Sequence, residues 1–581
     1  SEPPPTDPGV QHLADRFVTS SGDAVVPFRE ALGSIGMEAV EVSGGSEIVA
    51  RVVVPEAGAL RLSVAAVGPA GSARAQVAVR SAGTESPLME ADLGDERSVW
   101  SVSHVDLARY AGREVEIVLR ADADPAVRVL WGSPVLTGVR GARANVVVYE
   151  IDTLRADALG TYGFPGPSSP WIGALAREGA LFAYCTSPAS WTRPAAVSIQ
   201  TSLSPPTHGV LREKLRLPEE VETLADVLRD EGWYTVAFQT NPNAGRPAGL
   251  DQGFDLVIEM NALIRHMQLK MEAWEGTRQI SSGSASGTSE LIAFLLEDLL
   301  PDWNDLPVYL YLHPNDPHAP YDPRGPFDRV PDLGRPFAED RVQRPLESYG
   351  QDVRAADYWL GEIVRMLRQR GEFDRTAFAL VSDHGEEFRD HGRMGHGINL
   401  YEETLRVPFL VRAPWAVPAG TVRRDRVSSL DVMPTLLDLV GVPVPEGAEG
   451  RSLLPALEAG GAGEEFADEA HYAHVITMKL RMEDEVVLDP AVVGTLAVLR
   501  GPWKCVVSDY GTHRPDRIRL YNLREDPAER EDVADQHPDV AAALAAEARA
   551  WWDERRTGQE ADAGELDPEF EEQLRALGYL E

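Results

Sequence analysis

The sequence predicts an α/β protein, a largely parallel sheet covered by helices, preceded by an all-β sandwich. Three observations lead there. From about residue 23 to 142 the chain is a series of short alternating runs (EIVARVVVPE, ALRLSVAAVG, ARAQVAVRS, REVEIVLRAD, AVRVLWGSPVL) broken by Gly, Pro and Asp, the signature of a sandwich. At Asn145 the texture changes, and strand-like runs begin to alternate with helix-like ones, as in a parallel sheet with helices on its faces. Three of these later strand-like runs end abruptly in Asp or His, the way an open α/β sheet presents ligands at the carboxyl ends of its strands.

In chain order, residues 1–22 open SEPPPTDPG and read as a polar, Pro-rich linker. Residues 23–142 form the sandwich, expected to be jelly-roll-like; it holds no cluster of catalytic side chains and is expected to be dispensable for cleaving a small ester. In residues 143–464, TLADVLRDEG leads into WYTVAFQTN, ELIAFLLEDLL into VYLYLH, and DVRAADYWLGEIVRMLRQRG into TAFALVS; VPFLVRAP and LDVMPTLLDLVG follow. Residues 465–581 read as a C-terminal α+β part, with strands in VGTLAVLRGPWKCVVS, an Ala/Glu-rich helix, and an acidic solvated stretch at 554–568.

The chain has 581 residues and a formal net charge of −37. Such a surface repels phosphate backbones, which excludes a general nucleic-acid binder and requires any anionic substrate to find a local cationic pocket. The hydrophobic share of 43% supplies large cores and excludes disorder. No apolar stretch reaches about 18 residues, so no membrane span is expected. The Pro-rich start fits a tether after a removed export signal or lipid anchor, hence a periplasmic, extracellular or surface-anchored location. Cys185 and Cys505 read as two separate buried thiols, with no zinc-binding spacing.

NVVVYEIDTLRAD ends its strand at Asp152, VYLYLHPNDPHAPY at Asp316 and His318, and TAFALVSDHGEEF at Asp383 and His384. Asp152, Asp383 and His384 together suit a divalent cation, with the imidazole favouring zinc or manganese over calcium. In SPASWTRPAAVSIQTSLSPPTHGV, Pro194 fits the first position of a helix running to about Ser202. Thr192 lies just before it, where the helix dipole favours an anion. A threonine hydroxyl is a weak nucleophile unless a metal or a base activates it.

From about residue 145 onward these segments, together with VSDHGEEFRDHGRMGHG and LDVMPTLLDLVGVPVPEGAEGRSLLP, resemble in order the sulfatase branch of the alkaline phosphatase superfamily. The resemblance implies an α/β/α sandwich around a mixed, mostly parallel sheet, and hydrolysis of sulfate or phosphate esters, or transfer of phosphoryl-linked groups, with one or two metals. It matches Asp152 to the first aspartate ligand, Asp383 and His384 to the ligand pair, and His318 to a histidine that contacts the substrate group. His396 falls where many sulfatases carry a sulfate-binding lysine, and would bind substrate or a second cation. Two positions depart from the pattern: Thr153 replaces a second aspartate, and Thr192 stands at the nucleophile with Ala196 where the motif has arginine.

Threonine cannot become formylglycine, so an alkoxide nucleophile is expected and phosphoesters are expected to be preferred over sulfates. His318 or His396 would protonate the leaving alcohol. Lys214, His208 and Asp316 are candidate substrate contacts; His313, His391 and Asn241 lie in the same motif-bearing loops. Asp157 and Tyr162 are expected to fix the loop after the first strand, and Glu386 and Glu387 to orient His384. The expected partner is a small-molecule, glycan-linked or lipid-linked anionic ester. The competing expectations are a sulfuric ester hydrolase working without formylglycine, and a non-catalytic glycan-binding relative.

Overall fold

The computed structural model describes residues 10–69, 71–93, 98–138, 141, 143–165, 168–260, 262–264, 287–303, 306–321, 343–464, 466–476, 494–510, 516–556 and 562–563. The sandwich consists of β1 (Ile35–Val42), β2 (Ser46–Val53), β3 (Ala59–Val67), β4 (Ala73–Ser81), β5 (Thr84–Asp92), β6 (Ser101–Asp106), β7 (Glu114–Ala123) and β8 (Arg128–Thr137). One antiparallel sheet runs β1-β8-β3-β6 and the facing one β2-β7-β4-β5. That order is two Greek keys wrapped into a jelly roll. Alternate residues of both sheets, among them Ile48, Ala50, Val64, Val77, Ile117 and Trp131, fill its core.

The first residues depart from the expected linker. Residues 1–9 lie outside the described residues, but Val10–His12 pairs with β8 and Val18–Thr19 with β2. Leu13 and Phe17 are fully buried in the jelly-roll core. The apolar residues of VQHLADRF are too few to show a period against the polar run before them, yet enough to close one end of the sandwich.

The residues from 145 onward contribute β9 (Asn145–Ile151), β10 (Ala180–Thr186), β11 (Tyr234–Gln239), β12 (Leu256–Glu259), β13 (Val308–His313), β14 (Thr376–Ser382), β15 (Arg406–Arg412) and β16 (Thr421–Ser428). Their order is β16-β10-β15-β14-β9-β13-β11-β12, with β14, β9, β13, β11 and β12 mutually parallel and β15 antiparallel to both of its neighbours. Side chains alternate across the sheet and both faces are buried, so these strands read as continuous apolar runs. Val147, Tyr149, Leu310, Leu312 and Phe378 pack on one face against the helices Thr288–Leu299 and Gln343–Gln369. Val146, Val148, Tyr309, Tyr311 and Val381 pack on the other, against α1 (Thr192–Thr201) and α2 (Val432–Leu439).

The jelly roll and the parallel sheet are not separate bodies. β12 pairs antiparallel with β1 through Val257↔Gly36 and Ile258↔Ile35, so one sheet runs through both. Asp255, fully buried just before β12, accepts hydrogen bonds from Arg229 and from Thr235 of β11 and pairs with His12. Its carbonyl accepts from Ser133 of β8, and Arg229 also reaches Glu38 of β1. Deleting the sandwich would therefore remove a neighbour that the parallel sheet pairs with.

The C-terminal strands Ala470–Val475, Gly494–Arg500, Trp503–Tyr510 and Arg517–Asn522 form an antiparallel meander covered on one face by the helix Pro538–Arg555. The other face packs against Trp191, Leu400 and Leu405, and His474 makes a parallel bridge with Ala189. This small sheet therefore braces the segment that delivers Thr192. Within the expected acidic stretch, Asp562–Ala563 pairs with Leu215–Arg216; most of the rest lies outside the described residues. Among the described residues no helix is long and apolar enough to cross a membrane.

Candidate active site

The parallel register of β9 with β14 (Ile151↔Ser382) places Asp152 beside Asp383 where both strands end. One ligand atom from each of Asp152, Asp383 and His384 lies within 4.8 Å of the others, and all three residues are completely buried. His384 Nε2 is 3.6 Å from Asp152 Oδ1 and 3.3 Å from Asp383 Oδ2. Both of those oxygens lack a hydrogen-bond partner. The other oxygens are occupied: Asp152 Oδ2 accepts from Asn241 Nδ2 at 2.6 Å, and Asp383 Oδ1 accepts from the amides of Thr153 and His384. Burial pushes the Asp152 carboxyl well above its ordinary pKa, and Asp383 adds to the effect. Burial likewise lowers the imidazole of His384. Two buried carboxylate oxygens aimed at one point beside an unprotonated imidazole are a donor set that a zinc or manganese ion would satisfy.

His384 is fixed on its far side by Nδ1, which donates to the Gly385 carbonyl at 2.8 Å. Gly385 is required there, since a Cβ would stand 2.0 Å from the carbonyl oxygen of Glu403. The loop after β9 turns at Thr153, whose φ of 57° is unusual for a β-branched residue. Tyr349 holds that turn: its hydroxyl donates to Thr153 O at 2.9 Å and accepts from Arg155 N at 2.8 Å. Arg155 ties the loop to the neighbouring one through Asp157, Asp390 and the carbonyl of Glu386. Tyr162 bonds the backbone of β10 and β15, so Asp157 and Tyr162 fix this loop as expected.

Thr192 is itself the first residue of α1, and Pro194 sits third rather than first. The helix begins earlier because Trp191 is extended and locked under the C-terminal sheet. Thr192 Oγ1 lies 3.2 Å from His384 Nε2, which puts the hydroxyl on the rim of the cation pocket and at the positive end of a helix. The adjacent Arg193, fully buried, bonds Asn243 and the carbonyls of Leu215 and Pro247. Ala196 lies buried inside the helix, so nothing at that position offers a positive charge.

His318 and His396 complete the wall. The His396 ring lies 4.4 Å from that of His384 and 4.9 Å from that of His318, centroid to centroid. Glu386 does not orient His384 as expected; its Oε1 takes His396 Nδ1 at 3.0 Å. Glu387 instead accepts the amides of His391 and Arg393 and shapes the loop carrying His396. His318 Nδ1 donates to Ala319 O, and burial, reinforced by His396, pulls its pKa down to about 4.

The expected substrate contacts do not gather here. Asp316 accepts from Gly287 N, Thr288 Oγ1 and Ser289 N, and so anchors the start of the helix Thr288–Leu299. His208 is spent on Ser198 and on the amide of Val210, and burial lowers it to about 3. Lys214 is exposed on a turn. His391 stacks on Tyr401 and bonds Glu403. Asn241 does join the site, through Asp152. Arg193, Arg155 and Tyr349 were not singled out by the sequence; only the place of Arg193 between Thr192 and Pro194 pointed to it.

A sulfatase family model matches residues 144–442, and a model for the C-terminal region of N-sulphoglucosamine sulphohydrolase matches residues 392–550. The chain therefore belongs to the sulfatase family. Arylsulfatase K from Bos taurus is 28% identical over 246 residues, 42% of this chain and 41% of that protein. The ulvan-active sulfatase of Formosa agariphila is 26% identical over 333 residues, 54% of this chain and 64% of that protein. The chain thus spans less than two thirds of each of these relatives. Phosphonate monoester hydrolases from Silicibacter pomeroyi and Agrobacterium radiobacter share the fold at TM-scores of 0.56 and 0.58, with 20% identity, covering 72% and 71% of this chain and 96% of each of theirs.

Proposed function

We propose that the protein hydrolyses phosphate-type esters, diesters in preference to monoesters, through a covalent Thr192 intermediate. The observation that carries this reading is the Thr192 hydroxyl, 3.2 Å from His384 Nε2 at the mouth of the Asp152–Asp383–His384 pocket. A divalent cation held by those three residues would lower the pKa of a nearby hydroxyl and polarise a non-bridging oxygen of the ester. Thr192 Oγ1 attacks phosphorus, its proton passes to solvent water, and the phosphorus–oxygen bond to the alcohol breaks. His396, held through Nδ1 by Glu386, protonates the departing alkoxide. His318, held neutral by burial and with its one N–H spent on Ala319 O, lines the pocket and does not deliver the proton. Water then attacks the phosphothreonine and releases Thr192.

An alcohol ester of phosphate can be reopened by attack at phosphorus, which fits a nucleophile that has no aldehyde to re-form. With no arginine at Ala196, the pocket suits a monoanionic diester better than a dianion. The structural likeness to phosphonate monoester hydrolases agrees with this preference. The sequence likeness to arylsulfatase K favours the second reading, a sulfuric ester hydrolase without formylglycine acting on a glycan. The orphaned, buried carboxylate oxygens speak against a purely glycan-binding relative. A panel of bis-nitrophenyl phosphate, nitrophenyl phenylphosphonate, nitrophenyl phosphate and nitrophenyl sulfate decides the matter. The two monoanionic phosphorus esters should lead, and Thr192→Ala should lose at least about 10³-fold in kcat while keeping its metal. A clear preference for the sulfate overturns the substrate assignment, and an active Thr192→Ala overturns the nucleophile.

A further inference from the structure

Directly beneath the cation pocket lies a second polar group that the mechanism above leaves unused. Glu150 precedes Asp152 by two residues and points to the same face of β9. His313 faces it one step beyond the Tyr149↔Leu312 pair of β9 and β13. Ligand atoms of Glu150, His313 and Asp383 all lie within 4.8 Å of one another, and His313 Nε2 is 3.6 Å from Glu150 Oε1. All three residues are completely buried.

Neither oxygen of Glu150, neither nitrogen of His313, nor Asp383 Oδ2 makes a hydrogen bond of normal geometry. The Tyr311 phenol is the polar neighbour within reach of Glu150, as a hydrogen-bond partner of less than normal geometry. A neutral imidazole always carries one N–H, so His313 buries a stranded donor beside stranded acceptors, an arrangement folded chains avoid. The residue types matter as well: on a sheet face otherwise lined by Val146, Val148, Tyr309, Ala379 and Val381, a glutamate has no packing reason to be there.

We infer that this group holds a second divalent cation, zinc by its donor set, with Asp383 bridging it to the first. The inference rests on the Asp152–Asp383–His384 pocket holding its own cation. A 3.6 Å nitrogen-to-oxygen spacing is close to the edge of a tetrahedron of ligands at about 2.1 Å, whereas it is too long for a hydrogen bond. Asp383 is placed to bridge because Oδ1 is saturated by two amides while Oδ2 remains open towards both groups. Charge points the same way. One divalent cation among Glu150, Asp152 and Asp383 leaves an uncompensated carboxylate under a site that must receive an anion; two cations leave the floor of the site positive.

The test is metal content after equilibration with zinc and desalting, measured by elemental analysis on the full chain. Wild type should carry about two zinc ions, and Glu150→Gln about one with an unchanged far-ultraviolet spectrum. Should Glu150→Gln misfold, zinc anomalous scattering from wild-type crystals serves instead, with two peaks about 3.5–4 Å apart expected, one of them between Glu150 and His313. A single ion in the wild type, or a single peak at Asp152 and His384, overturns the inference and leaves the proposed hydrolase standing. A protein that retains no zinc overturns both.

Discussion

Asp255→Asn tests whether the jelly roll and the catalytic sheet fold as one unit. Burial alone would raise the Asp255 pKa, but His12, Arg229 and the Thr235 amide outweigh it and hold the carboxyl down at about 2, against an ordinary value of 3.8. A displacement of that size is worth about 2 kcal/mol of native-state stability once the group is ionised. Asparagine keeps the shape and one acceptor oxygen for Thr235, and removes the charge together with the acceptor that takes Arg229. The folded pKa is depressed, so the stabilisation is fully present above the unfolded value and is lost as pH falls through the folded one. Wild type should therefore exceed Asp255→Asn by about 2 kcal/mol from pH 7 down to about pH 5, and by roughly half that at pH 3. Urea unfolding followed in parallel by tryptophan fluorescence and far-ultraviolet dichroism measures this. The two signals should also shift together, since His12, Ser133 and Glu38 of the sandwich meet Asp255 and Arg229 of the catalytic part. Equal stability at pH 7, a gap that does not shrink on acidification, or a fluorescence transition that separates from the dichroic one would refute the reasoning.

Removing residues 1–142 should leave a chain that is insoluble or melts far below the parent, because β12 loses its partner β1; a soluble, fully active truncation in a thermal melt and ester assay would show that the shared sheet is incidental. His396→Ala should slow alkyl esters by about 10²–10⁴-fold and nitrophenyl esters much less, since only a poor leaving group needs the proton; equal losses would make His396 a ligand or binding residue. Stripping divalent cations with a chelator should lower the melting temperature, and restoring zinc at about 100 times its Kd should return about 2.7 kcal/mol. A melt unmoved by either treatment would mean that Asp152, Asp383 and His384 do not form a site.

What could be read from the sequence follows from how local each signal is. Strands buried on both faces announce themselves as apolar runs, and Asp152, Asp383 and His384 end such runs, so period and punctuation alone located them. Thr192 was found from its helix-start context, though not its place inside α1, because that depends on Trp191 docking under a sheet nearly 300 residues further along. The same limit explains the misread neighbours. Asp316, His208 and Glu386 are polar residues in motif-bearing loops, and nothing local distinguishes a helix anchor, a buried hydrogen-bonding ring or a support for His396 from a substrate contact. Glu150 could have been noticed as a lone carboxylate within an apolar strand, but its partner His313 is settled only by the strand register.

The unbroken sheet from β14 to β6 has a metrical consequence. Four inter-strand steps, β9-β13-β11-β12-β1, separate the strand that ends in Asp152 from the first strand of the jelly roll. At about 4.8 Å a step that is a span of about 19 Å, crossed by ladder hydrogen bonds and not by a connecting loop. The accessory fold is thus mounted on a beam rather than hung from a tether. A chain-like molecule touching both ends would be gauged against a fixed length, whereas a module on a flexible linker would only raise its local concentration.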